Sequence, residues 1–147
     1  MSNIRKINAQ LSKTLSKLHY SIVEYIEKQQ KENGYINTQN GEDNAMYFYT
    51  YDDIEGNMLY EGRICAIRVK GGNIQILGTV CDSIHFTNDD IDEATRLTDN
   101  IDNTNGEDNP YLTINGECET YWQDIYGNDT IIYTQTLLSI AMSIEQY

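Results

Sequence analysis

The sequence predicts an α+β fold: a long N-terminal helix, an antiparallel meander of about four to five strands, a short acidic helix or loop excursion, and a C-terminal helix. Three observations predict it. An apolar residue recurs every three or four positions through the first 30 residues. The middle of the chain alternates around a Gly-Gly dipeptide. A second three-to-four periodicity returns at the end. With 147 residues the chain suits a single domain, 1–147, divided into an amphipathic helix over 1–33 and an acidic α+β body over 34–147.

In the first element Ile4, Ile7, Leu11, Leu15, Leu18, Ile22 and Ile26 draw one stripe on a helix. Ser2 or Asn3 is placed to cap its start. Asn33-Gly34 is placed to end it in a left-handed conformation. Such a helix runs to roughly 45 Å at 1.5 Å per residue. It either lies across a sheet, or overhangs the domain and pairs with another chain through Leu11, Leu15, Leu18 and Ile22.

The next element is AMYFYTYDD. As a strand it puts Met46, Phe48 and Thr50 on one face and Tyr47, Tyr49 and Tyr51 on the other. GRICAIRVKGGNIQILGTVC then reads as a hairpin with Gly71-Gly72 as its two-residue turn. That register sets Val69 against Ile74, Ile67 against Ile76 and Cys65 against Gly78, an apolar face throughout. Cys81 then falls on the face opposite Cys65.

Between positions 82 and 108 stand nine carboxylates and one cation, Arg96. A short helix near 89–100, capped by Asn88, would turn Ile91, Ala94, Leu97 and Ile101 inward, with acids in its first turn complementing the helix dipole. YLTINGECETYW reads as another pair of strands. TQTLLSIAMSIEQY reads as a short helix capped by Thr134, with Leu137, Leu138, Ala141 and Ile144 inward.

RICAIRVKGGNIQILG and LLSIAMSIEQ together resemble small uncharacterised proteins of Bacteroidetes phages and mobile elements. The likeness spans a third of the chain and lies in core patterns. It implies a fold and a genomic setting, and no activity. The abundance of Asn, Ile and Tyr, with a single proline, fits an A/T-rich genome of that kind.

The pentapeptide NGEDN occurs at 40–44 and again at 105–109. A calcium loop with the glycine at its sixth position would need Ile36 and Tyr47, or Ile101 and Leu112, as ligands, so neither copy is one. Both copies are followed by Thr-Tyr and then by a D-I-x-G-N segment, with one extra residue the second time. They read as equivalent turns entering equivalent strands, by duplication or by convergent turn chemistry.

Little else resembles chemistry. His85 follows Cys81 in a C-x-x-x-H spacing, too few ligands for a structural zinc site. No P-loop, G-x-S-x-G or G-x-G-x-x-G pattern is present. The sequence therefore predicts no catalytic residue, metal or cofactor. An alternative gives the 82–108 acids to a small molecule or to the metal of an enzyme, Mg²⁺ held by Asp89, Asp90, Asp92 and Glu93.

Charge is the stronger signal. The formal net charge is −13 and the pI is near 4.3. Residues 1–33 hold six cations and three acids, net +3, which leaves −16 on the body. Such a field repels phosphate and excludes direct nucleic-acid binding by the body. It suits a basic protein partner, whose nucleic-acid groove carboxylates can enter in place of phosphates. Asp89, Asp90, Asp92, Glu93, Asp99 and Asp102, with Tyr47, Tyr49 and Tyr51, are the candidate partner-binding residues. The expected role is a non-enzymatic inhibitor of a basic host or defence protein; the alternative is self-assembly through helix 1–33. MSNIRKINAQ has no signal-peptide core, and the three unpaired cysteines suit a reducing compartment, so the expected location is the cytoplasm of a host cell.

Overall fold

The computed structural model describes residues 2–39, 46–51, 59–79, 85–99, 112–114, 118–120, 122–125 and 131–144. Both NGEDN copies and Cys81 lie outside them. The elements in chain order are α1 (Ser2–Gln30), β1 (Ile36–Asn37), β2 (Met46–Tyr51), β3 (Leu59–Lys70), β4 (Asn73–Thr79), α2 (Asn88–Asp99), β5 (Leu112–Ile114), β6 (Cys118–Thr120), β7 (Gln123–Asp124) and α3 (Ile131–Ile144). The class is α+β, as predicted.

The sheet grows around the longest strand. β3 pairs antiparallel with β4 on one side, while β2 and β1 follow one another along its other side. β7 closes the far edge against β4. Gly71 and Gly72 form the tight turn with φ of 60° and 81°, the left-handed values that a two-residue hairpin of this hand requires. Val69 faces Ile74 and Ile67 faces Ile76, the predicted register.

Beyond that point the register departs from expectation. Ile64, not Cys65, pairs with Gly78, and a bulge lies between Ile64 and Ala66. The extra residue reverses the alternation, so Ile64 and Ile67 share one face while Cys65 and Ala66 point to the other. Both faces of the sheet are consequently buried. One core joins Leu15, Ile22 and Ile26 of α1 and Leu137 and Ile140 of α3 to Met46, Ile64, Ile67, Ile74 and Ile76. The other joins Ile91 and Ala94 of α2 to Tyr35, Cys65, Ala66, Leu77, Phe86 and Trp122. The arrangement is three layers: α1 with α3, the sheet, then α2.

α1 therefore takes the first of its two predicted roles and lies on the sheet. Leu15, Leu18 and Ile22, the alternative seam between chains, pack in its core; the side chain of Leu11 lies outside the described residues. α1 ends as predicted, with Gly34 at φ 76° and its N–H donating to the Gln30 carbonyl at 2.9 Å.

Side chains finish the edges of the strands. The Gln30 amide donates to the Val69 carbonyl and accepts from the Val69 N–H, so the last residue of α1 acts as a strand where β1 has not begun. Ser139 and Thr136 of α3 accept from the N–H groups of Tyr47 and Tyr49 on the outer edge of β2. That row of hydroxyls covers an edge that would otherwise be open to pairing with another chain.

Three further expectations need correction. Thr134 lies inside α3 rather than at its cap, and Leu138 is exposed while Ile140 takes the buried position. The strands following the two NGEDN copies are not equivalent. β2 belongs to the five-stranded sheet, whereas β5 and β6 form a separate two-stranded one.

Candidate partner-binding surface

The acidic residues are presented by α2, whose own placement is over-determined. Thr87, not the expected Asn88, caps its start. The Thr87 N–H donates to Asp90 Oδ2 at 2.9 Å, and the Asp90 N–H donates to Thr87 Oγ1 at 3.2 Å, a reciprocal box. Asn88 instead joins the helix to β1, accepting from Asn37 Nδ2 at 2.9 Å. Ile91 and Ala94 are fully buried against the sheet.

Two residues that the sequence did not single out hold the helix down. Trp122 donates its indole N–H to Thr95 Oγ1 at 2.9 Å, and Thr95 donates in turn to the Ile91 carbonyl at 2.7 Å. Arg68, almost wholly buried in β3, lies 4.5 Å from the centre of the Trp122 ring. Its guanidinium meets both carboxylate oxygens of Asp99, at 2.9 and 3.3 Å, and donates from Nε to Gln75. Lys70 reaches the same Asp99 oxygen at 2.6 Å. Burial pushes the Asp99 carboxyl up, but its Arg68 and Lys70 partners outweigh that and hold it below the usual value. One signal in the sequence pointed here: Arg68 is flanked by Ile67 and Val69, so its side chain had to cross the second face of the sheet.

Nor did the sequence single out Tyr35. It is buried against Trp122, with ring centres 6.5 Å apart, and its hydroxyl donates to Asp92 Oδ1 at 2.9 Å. Burial, then the neighbouring Asp92 and Asp89, push the Tyr35 hydroxyl up to about 12.

The six predicted acids are thus not equivalent. Asp99 is consumed by the Arg68 and Lys70 pairs, and Asp90 by the cap. Asp92 lends one oxygen to Tyr35 and remains exposed. Glu93 stands 3.7 Å from Arg96 with both side chains open to solvent, a pair of little strength. Asp89 is exposed in the first turn. Asp102 lies outside the described residues. What the helix offers outward is Asp89, Asp92 and Glu93, which share one face by their three- and four-residue spacing.

The tyrosines fall elsewhere. Tyr47 and Tyr49 lie half-buried on β2, opposite Arg63 and Glu61 of β3. Burial first, then Glu61 and Tyr47, push the Tyr49 hydroxyl up. The side chain of Tyr51 lies outside the described residues. Among the described residues no group of three His, Cys, Asp or Glu could hold a metal ion, and no helix is long and apolar enough to cross a membrane. No protein-family model, curated protein or solved structure matches the chain.

Proposed function

We propose that this chain is a non-enzymatic, acidic interaction protein whose α2 face binds a basic protein and blocks its nucleic-acid groove, in the manner of a phosphate mimic encoded by a phage or mobile element. The observation that carries the reading is the contrast between the two sides of α2. Its inner side is fixed by the Thr87–Asp90 box, by Ile91 and Ala94, and by Asp99 on Arg68. Its outer side presents Asp89, Asp92 and Glu93 to solvent. Carboxylates on a fixed helix lose little freedom when they meet a cation, and the net charge of −13 steers a basic partner toward them.

The test is Asp89→Asn with Glu93→Gln, which leaves Asp90, Asp92 and Asp99 in their structural bonds. The partner is first captured from host lysate and identified by mass spectrometry. The double variant is expected to melt like the parent, to associate about tenfold more slowly in low salt, and to show a flatter salt dependence. DNA is expected to compete with the parent protein for the partner. Undiminished binding by the double variant in low salt would remove α2 as the interface.

A further inference from the structure

We infer that two copies of this chain associate through the solvent face of α1, antiparallel and about a two-fold axis at Tyr20. The face is the reverse of the one that builds the core, and the inference stands apart from the reading of α2. Lys13, Lys17, Tyr20, Glu24 and Glu27 follow one another along α1 at steps of four, three, four and three, the spacing of a coiled-coil seam. All five are exposed, and Tyr20 is 68% exposed, unusually open for so large a ring. The ring stands edge-on to that of its neighbour His19, with ring centres 5.9 Å apart.

The order of charges along the seam is what selects a second copy. Two lysines precede Tyr20 and two glutamates follow it. Laid antiparallel on itself with Tyr20 against Tyr20, the helix sets Lys17 opposite Glu24 and Lys13 opposite Glu27, each twice by symmetry. A parallel pairing would set like against like. Among the described residues the ion pairs join Arg68 and Lys70 to Asp99 and Arg96 to Glu93, and none of them involves a charge of the seam.

Long-range charge favours the same face. The body carries −16, and two copies meeting through it would repel, whereas the stretch from Lys13 to Glu27 is neutral overall. Joining along α1 keeps the acidic α2 layers on the far sides of their sheets. The seam from Lys13 to Glu27 covers about 21 Å of helix, so the dimer is small and salt-sensitive.

Sedimentation of the full chain tests it. The parent is expected to show a concentration-dependent dimer in low salt that dissociates as salt rises. K13E/K17E makes the seam wholly acidic and E24K/E27K makes it wholly basic, so each alone is expected to sediment as a monomer. Mixed, they are expected to give a one-to-one dimer. All four positions are exposed, so both variants should fold, which circular dichroism checks. Tyr20→Cys is expected to give a covalent dimer on mild oxidation, and Thr14→Cys, away from the axis, none. A parent that stays monomeric at every concentration in low salt, or a mixture that stays monomeric, overturns the inference. So does dimerisation of either charge variant alone, or a dimer that Tyr20→Cys does not cross-link.

Discussion

Phe48 shows how little freedom single positions have. Its ring lies over Gly62 of β3 and Gly78 of β4, where an added methyl would collide with ring atoms. The two glycines are therefore the floor of an aromatic site, not turn residues. Gly62→Ala or Gly78→Ala is expected to lower stability by about 1–3 kcal/mol through overpacking, measured by chemical denaturation. Cys65 makes a second case. The bulge turns it into the α2-side core, and burial, only partly opposed by nearby Arg63, pushes its thiol up to about 11. Native alkylation at neutral pH should leave Cys65 unmodified, and denaturant should expose it. Rapid modification in the folded state would mean that the α2 layer opens readily.

At the scale of elements, α2 is where the sequence was both most and least informative. Its existence, its inner Ile91 and Ala94, and its acidic first turn were legible, because a three-to-four apolar spacing and N-terminal carboxylates are local signals. Its fastening was not. Thr87 and Asn88 are both good capping residues, and only the path of the chain decides between them. Trp122 and Arg68 meet α2 from distant segments, which no periodicity reveals. In β3 the Gly71-Gly72 turn fixed the register from Val69 to Ile67. The bulge was invisible because Ile64, Cys65 and Ala66 are all small or apolar and suit either face. Along α3 the hydroxyls of Thr136 and Ser139 have the pattern of a solvated side, and only the fold places β2 beneath them. The cap predicts a dissociation of effects within the acidic helix. Asp90→Ala should cost about 1 kcal/mol, because it loses half of the box and the favourable charge at the helix N-terminus. Asp89→Asn should cost far less, since no bond among the described residues depends on it. Equal melting temperatures for the two variants would show that the box contributes nothing.

For the molecule as a whole, pH separates the charge that holds the layers together from the charge that only surrounds them. Two buried groups, Tyr35 and Cys65, are held protonated in the fold, at about 12 and about 11 against ordinary values of 10.0 and 9.0. Where a folded-state value is raised, the unfolded chain gives up its proton first. The stability these groups contribute is thus fully present below pH 9 and is lost progressively between there and pH 12. Asp99 runs the other way. Its value is lowered by Arg68 and Lys70, so its contribution is present at neutral pH and falls away as acid protonates it. The many exposed carboxylates add self-repulsion that acid and salt both relieve. Denaturation midpoints are therefore expected to rise modestly with salt at neutral pH and to fall steeply above pH 9. Tyr35→Phe isolates the first of these effects. It removes the titrating hydroxyl and its bond to Asp92 but keeps the ring against Trp122. The variant should be slightly less stable than the parent at pH 7 and should lose less on going to pH 11. If both proteins lose the same stability over that range, Tyr35 ionises as freely in the folded chain as in the unfolded one, and the layer over it is open to water.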